Sequence, residues 1–231
     1  MPEVNLGLNK VIHVIGPDRT DFLQSQLTQD ISILSDSEAN FSAWCNVKGR
    51  VITTLSLFKL DDRIVMIVPS SMTEIIIKKL IFYRFRSKVD FLVTDENPNN
   101  LSVKIDLNPE KLISRGIPII DSTNTETYTP HMLNLDKLEA ISFNKGCYTG
   151  QEIIARTEHL GKSKRRMMLY KARNNKINIG SKLFFNEKNA GIVVNACGNL
   201  ILAVTPTKIH TETLTTLDDI KCSPRSLPYE I

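Results

Sequence analysis

The chain has 231 residues, 42% of them hydrophobic and 23% charged, with a formal net charge of +4. This balance is typical of a globular protein with a substantial core. No apolar run approaches the roughly 20 residues needed to cross a bilayer, and residues 1–6 lack the basic and apolar regions of a signal peptide. We therefore expect a cytoplasmic protein without a membrane anchor.

The first half of the chain alternates between strand and helix patterns. Strands are predicted over Val11–Ile15, Phe41–Asn46, Arg50–Phe58, Ile64–Val68 and Val89–Thr94, and Leu101–Leu107 is expected to be extended. Helices are predicted after Asp18, from a capping box at Ser71 and Glu74 to about Arg84, and over Pro109–Arg115.

Beyond Arg165 only strands are predicted, over Met167–Ala172, Lys182–Phe185, Gly191–Asn195 and Leu200–Val204. Short strands joined by Asn, Gly and Lys turns indicate a small β-barrel or sandwich. The chain is thus predicted to be α+β, with an α+β domain over residues 1–164 and a β domain over residues 165–231.

The most informative motif is Lys145-Gly-Cys-Tyr-Thr-Gly-Gln-Glu152. Thr149 and Glu152 have capping-box spacing, which would place Cys147 just outside a helix N-terminus, where the helix dipole and the nearby Lys145 favour a thiolate. Gly146 and Gly150 would allow another molecule to approach the sulfur closely. The alternative is a buried cysteine that only fills space.

The other cysteines and the histidines suggest no further site. Cysteines at 45, 147, 197 and 222 form no Cys-x-x-Cys pair, so reduced thiols are expected. Histidines at 13, 131, 159 and 210 lack ligand spacing, and no metal site is predicted. A cysteine hydrolase pairing Cys147 with His131 or His159 is an open but weakly motivated alternative.

The cysteine motif resembles the signature of the YgfZ-type proteins, a branch of the folate-binding superfamily that includes the glycine-cleavage T-protein, an aminomethyltransferase. Supporting similarities extend along the chain, at Gly16–Asp30, Lys48–Arg50, Gly116–Asp121, Thr129–Leu135 and Leu227–Tyr229. The resemblance implies a T-protein-like folate-binding α+β domain followed by a small C-terminal antiparallel β-barrel.

The same resemblance implies a function and its partners. Such proteins bind tetrahydrofolate and support the assembly or repair of iron–sulfur enzymes, tRNA-modifying enzymes among them, so the expected partners are folate and iron–sulfur proteins or their assembly factors. Cys147 and Lys145 would then be the reactive pair, with Gly146, Tyr148, Thr149, Gly150, Gln151 and Glu152 shaping the turn.

One departure from the T-protein bears on catalysis. Where that enzyme carries adjacent aspartates for aminomethyl transfer, this chain has Thr53 and Thr54. A neutral hydroxyl cannot replace the ionised carboxylate that steadies a cationic intermediate. A tetrahydrofolate-dependent aminomethyltransferase is therefore the less favoured alternative, and whether the chain is an enzyme is left open.

The resemblance places folate contacts at Trp44, Arg50 and Asn134, and Phe58, Tyr83 and Phe143 are further candidate walls for a pterin. Asn9 and Asn108 stand where larger relatives have ring-stacking tryptophans, and the chain is shorter than they are between Asp95 and Leu101. We expect a reduced pocket.

A third alternative is a non-catalytic RNA- or protein-binding module. Two basic clusters could serve it, one at Lys78, Lys79, Arg84, Arg86 and Lys88 and one over residues 162–166. Solvated surface charge explains both equally simply, and direct nucleic-acid binding is not expected.

Overall fold

The structure, a computed structural model, describes residues 8–103, 105–161 and 163–231. Three predictions fall partly or wholly outside this range. They are the expected absence of a signal peptide at residues 1–6, the extended segment around residue 104, and residue 162 of the second basic cluster.

The first half is built on a five-stranded antiparallel sheet with the order β2-β3-β4-β1-β5. Alternate residues of β1 enter different cores, since Ile12 and Val14 pack on one side of the sheet and Val11 on the other. All five predicted strands are present, as β1 (Asn9–Ile15), β2 (Asn40–Cys45), β3 (Val51–Leu60), β4 (Arg63–Pro69) and β5 (Asp90–Thr94).

Helices α1 (Arg19–Gln26) and α2 (Thr73–Arg84) supply Phe22, Leu23, Ile76 and Leu80 to the core on one face of the sheet. Their predicted caps are wrong in detail. Asp18 is the predicted N-cap of α1, but its carboxylate accepts a hydrogen bond from the Lys88 amide and none from the helix. A 3-10 turn over Ser70–Met72 precedes α2, which makes Met72 its N-cap, and Ser71 instead accepts a bond from the Ser122 amide.

The opposite face of the sheet is covered by residues 98–103 and 105–144. This region contains α3 (Pro109–Ser114) and 3-10 turns over Pro98–Asn100 and His131–Leu133. Val103, Ile105 and Leu107 pack against this face, although residues 101–103 and 105–107 form no strand. Side-chain burial without strand pairing explains why the apolar pattern of this segment resembled a strand.

Helix α4 (Gln151–Leu160) leads into a closed antiparallel barrel with the order β10-β11-β6-β9-β8-β7. The predicted barrel is confirmed, but sequence patterns missed β10 and β11, because β10 has two residues and β11 is largely polar and contains Pro224. The barrel strands are β6 (Arg165–Ala172), β7 (Lys182–Phe185), β8 (Lys188–Cys197), β9 (Leu200–Pro206), β10 (Leu214–Thr215) and β11 (Lys221–Arg225).

One hydrophobic cluster joins the two halves, since Ala43 and Leu133 pack in the same core as Met167 and Val204. The division at residue 164 stays a prediction, and β6 begins at Arg165. Within the described residues, no helix is long and apolar enough to span a membrane.

Tyr229 closes the junction between the two halves. Its hydroxyl donates a 2.8 Å hydrogen bond to the Gly116 carbonyl and lies 3.3 Å from Nδ2 of Asn134, which in turn donates to the Met167 carbonyl at 2.7 Å. Gly116 has φ +69°, and a Cβ there would lie 2.7 Å from the tyrosine oxygen. Burial raises the pKa of Tyr229 to about 12, so the phenol stays protonated and can donate.

Candidate functional site

A cavity of about 810 Å³ lies on the sheet face opposite α1 and α2, a volume typical of small-molecule sites. Strand residues of β2 and β3 form its floor, and residues 105–107, 112–119 and 138–144 form its walls. Phe41 and Phe143 line it, together with aliphatic side chains such as Leu107 and Ile141. The cavity therefore offers aromatic and aliphatic surface to a flat heterocycle.

Polar groups also line this cavity. Asn40 brings an amide, and Arg115 and Asp106 bring opposite charges. Gln29 also lines the cavity, but its amide nitrogen already donates to the Glu139 and Phe41 carbonyls. Burial opposes ionisation of Asp106, but hydrogen bonds from the Asn108 amide and Lys111 and the charge of Arg115 outweigh it and hold its pKa below the usual value. The cavity thus combines hydrogen-bonding groups for a heterocycle edge with a cation for an anionic tail, a donor set that fits a folate.

Thr53 and Thr54 use their hydroxyls to fasten β3 to residues 118–120. Thr53 donates to the Ile120 carbonyl at 2.9 Å, while Thr54 donates to the Pro118 carbonyl at 3.0 Å and accepts from the Ile120 amide at 3.0 Å. Thr54 also lines the cavity. At the two positions where the T-protein is expected to carry aspartates, this chain has neutral hydroxyls that are hydrogen-bonded to the backbone.

The cysteine motif is fastened to the end of α1 and the residues that follow it. The Ser142 amide donates to the Thr28 carbonyl at 2.9 Å, and the Thr149 amide donates to the Ser25 carbonyl at 3.2 Å. Between them, Nζ of Lys145 donates to the carbonyls of Leu27 at 2.8 Å and Gln29 at 2.7 Å. The first strand-to-helix passage and the cysteine motif, separate in sequence, form one unit.

The Lys145 side chain is thus engaged with backbone carbonyls. Its ammonium group points into the protein, where burial lowers its pKa to about 8 despite the opposing attraction of Asp30. It also lies 5.2 Å from the ring centroid of buried Tyr148, within cation–π range. Its hydrogen bonds give Lys145 a structural role in holding the loop.

Cys147 is exposed, in contrast to buried Cys45 and Cys222 and half-buried Cys197, and all four thiols are free. Gly146 beside it is open, with no heavy atom within 4 Å of a hypothetical Cβ. The alternative of a buried, space-filling Cys147 is excluded. Its sulfur is reachable from solvent, although Cys147 does not line the cavity, whose wall ends at Asn144.

Gly150, not Thr149, is the N-cap of α4, and no side chain caps this helix. Its φ of +82° lies in the left-handed region, and a Cβ there would lie 2.4 Å from the Asn46 carbonyl oxygen. Gly150 therefore packs against the β2–β3 hairpin instead of admitting a partner. Gln151 accepts a bond from the Tyr148 amide at 3.2 Å, and Glu152 is exposed.

The predicted folate contacts Trp44, Arg50 and Asn134 do not line this cavity. Trp44 is fully buried in the core between sheet and helices, with its ring 6.3 Å from that of Tyr83. Asn134 belongs to the junction closed by Tyr229, and Arg50 donates to the Thr127 carbonyl at 2.8 Å.

Of the four predicted aromatic wall residues, Trp44, Phe58, Tyr83 and Phe143, only Phe143 lines the cavity. Phe58, like Trp44, is fully buried in the core. Asn9 lines the cavity too. Asn108 instead caps α3 by accepting a bond from the Lys111 amide.

Sequence spacing gave no signal for one cluster, formed by His131, Asp136 and Glu158, whose ligand atoms all lie within 4.8 Å of one another. Nε2 of His131 is 2.9 Å from the Glu158 carboxylate, and Arg166 pairs with Asp136 at 2.5 Å. Because Arg166 already neutralises Asp136, we interpret the cluster as an ion-pair network that ties α4 to β6. His131 bonds Glu158, which gives no support to a Cys147–His131 hydrolase pair.

The basic clusters are partly neutralised by neighbouring groups. Lys78 pairs with Glu74, Lys79 with Glu126 and Arg84 with Asp90. In the second cluster, Arg166 is paired as described. Among the described residues, Arg86, Lys88, Lys164 and Arg165 form no ion pair, so each cluster keeps some positive charge.

Comparison with known proteins completes the description of the site. No family model matches the sequence. An uncharacterized protein of Haemophilus influenzae is 29% identical over 233 positions, covering 84% of this chain and 83% of its own. The tRNA-modifying protein YgfZ of Aliivibrio fischeri is 25% identical over 286 positions, covering 96% and 90%. That of Klebsiella pneumoniae is 28% identical over 215 positions, covering 66% of each chain.

Among solved structures, the glycine cleavage system aminomethyltransferase T of Bartonella henselae superposes with a TM-score of 0.76 at 15% identity, covering 96% of this chain and 84% of its own. The chain has the fold of the T-protein-like aminomethyltransferases. In sequence it is similar to YgfZ proteins at 25–28% identity, which agrees with the resemblance seen in the cysteine motif, and the predicted fold is confirmed.

Gly146 and Gly150 give a matched pair of substitutions. Gly150→Ala must accept a left-handed φ and displace the Asn46 carbonyl, so we expect a loss of about 1–3 kcal/mol in the free energy of unfolding. Gly146→Ala has open space and should change it by less than about 0.5 kcal/mol. Urea denaturation followed by circular dichroism measures both, and equal effects would contradict the packing described.

Lys145 should make stability depend on pH in the alkaline range. Its folded pKa of about 8 lies below the unfolded value near 10.4, so the folded state binds fewer protons between these values and stability rises with pH there. From pH 7 to 10 wild type should gain at most about 3 kcal/mol relative to Lys145→Met. Urea denaturation at each pH measures the stability of both proteins, and the same dependence on pH in both would refute this prediction. Lys48→Met, at an exposed lysine, is the control and should behave like wild type.

Proposed function

We propose that the chain is a folate-binding accessory protein that supports the assembly or repair of iron–sulfur enzymes, tRNA-modifying enzymes among them, and that acts through Cys147. The observation that carries the proposal is the pair of hydrogen bonds from Lys145. One of its acceptors, Gln29, lines the cavity, and the loop that follows Lys145 exposes Cys147. Cavity and thiol thus share one short structural connection.

In this proposal the cavity holds tetrahydrofolate. Phe41 and Phe143 provide ring surface for the pterin, the amide of Asn40 pairs with its polar edge, and Arg115 attracts the glutamate carboxylates. When bound, the cofactor supplies ring nitrogens that carry one-carbon units. Because Thr53 and Thr54 bond to backbone and cannot provide a carboxylate, we assign this chain no aminomethyl transfer.

Cys147 would meet the partner protein outside the cavity. Its thiol stands on the surface next to an open glycine, where a client's iron–sulfur centre or a partner sulfur can reach it. Lys145 acts here as a positioning residue, since it holds the loop relative to Gln29. Folate bound beside Gln29 would then stabilise the loop conformation that presents the thiol.

Tetrahydrofolate binding tests the first half of the proposal. Isothermal titration should show binding to wild type that weakens about tenfold in Phe143→Ala, which loses a ring at the cavity wall. Tyr83→Ala is the control, because Tyr83 lies at the other face of the sheet beside Trp44. Lack of binding at millimolar ligand, or an equal loss in both variants, would remove folate from the proposal.

Complementation tests the second half. In a bacterial strain deleted for its YgfZ, Cys147→Ala should fail to restore the product of an iron–sulfur tRNA-modifying enzyme, measured by mass spectrometry of tRNA nucleosides. Cys197→Ala should restore it, because Cys197 is half-buried in the barrel. Full restoration by Cys147→Ala, with both variants folded by circular dichroism, would rule out the thiol.

A further inference from the structure

The two edges of the five-stranded sheet differ in how they are protected. At one edge, β2 is covered by residues 27–28, since Leu27 bridges Trp44 and the Thr28 amide donates to the Ala43 carbonyl at 2.9 Å. At the other edge, β5 pairs with β1 on one side and, among the described residues, with no strand on the other. Free strand edges are sites of pairing with another chain.

Strand β5 has few of the usual features that prevent such pairing, since its one charged residue, Asp90, is already paired with Arg84. Its sequence, Asp90-Phe-Leu-Val-Thr94, contains no lysine and no proline, and its register with β1 runs over all five residues without a bulge. Leu92 and Val93 are 51% and 45% exposed. The strand is therefore apolar, regular and accessible.

The residues that flank β5 are complementary in charge. Arg86 and Lys88 precede the strand, and Asp95 and Glu96 follow it. In an antiparallel pair of two copies centred on Leu92, residues equally far from Leu92 face each other. When this pairing is continued two residues beyond each end of β5, Lys88 of one copy lies opposite Glu96 of the other, on the same face of the sheet as Leu92.

The groups around these two side chains are compatible with such a pair. Lys88 is exposed, and within the described residues its ammonium group takes part in no ion pair. Glu96 already contacts His13 at 3.2 Å, but its side chain remains 41% exposed. Its carboxylate can accept a second donor.

We propose that β5 pairs antiparallel with β5 of a second copy of this chain, forming a two-fold symmetric dimer with one continuous sheet. A second copy fits better than an unrelated strand, because the basic-to-acidic order along β5 is self-complementary only when antiparallel. Since β2 is covered, the pairing uses the single free edge of each copy and closes at the dimer. Residues of β5 do not line the cavity, so its opening and Cys147 are left free.

Sedimentation velocity of the full chain over the micromolar range tests the dimer. Wild type should show a concentration-dependent dimer. Leu92→Lys, which brings two ammonium groups together at the two-fold axis, should raise the dissociation constant at least about tenfold. Leu217→Lys, at an exposed apolar residue outside the sheet, is the control and should leave it unchanged. A wild type that stays monomeric, or a dimer that Leu92→Lys does not weaken, overturns the proposal.

Charge reversal tests the register independently. Lys88→Glu and Glu96→Lys should each weaken the dimer, and the double variant should restore it, because the opposed charges are then exchanged. Circular dichroism confirms that each variant is folded. A double variant weaker than either single one overturns the proposed pairing.

Discussion

The position of the cysteine loop depends on one buried ammonium group. Lys145 spans from the loop to the carbonyls that follow α1, and the amides of Ser142 and Thr149 reinforce the contact on either side. A buried ammonium that donates to backbone carbonyls fixes geometry strictly, because any shift of the loop would leave the charge without partners in a poorly solvated site. The wall of the cavity and the exposed thiol therefore keep one relative position.

In the sheet, threonines stand where the resemblance to the T-protein would place aspartates, and the fold is the same. Threonine hydroxyls in β3 bond to the backbone of residues 118–120 and keep the cavity wall in place. The T-protein-like fold is thus retained while two positions that the resemblance associates with transfer chemistry hold neutral side chains. Retention of a cavity with loss of a carboxylate is consistent with a binding role, in which the ligand influences the surface loop instead of being turned over.

Sequence patterns predicted what depends on local chemistry and missed what depends on distant contacts. Alternation gave the five strands of the sheet, and the cysteine motif gave an accessible thiol near a helix start. The predicted N-cap of α4, Thr149, was wrong, because Gly150 occupies that position with a left-handed φ. Its lack of a Cβ is required by the Asn46 carbonyl, which lies about a hundred residues away in sequence. Trp44 was predicted to contact folate, but residue type alone does not reveal which face of β2 meets the helices. The cluster at His131 could not be predicted, because it forms only when α4 packs beside β6.

The contact between Tyr229 and Gly116 has a consequence for biosynthesis. The two residues are separated by 113 positions, and the phenol also meets Asn134. During translation the sheet can form as soon as its strands emerge from the ribosome, but its junction with the barrel must wait for this tyrosine. Until the barrel strands have been synthesised, the nascent polypeptide would keep apolar surface around Leu133 uncovered, and chaperone protection matters most during this interval.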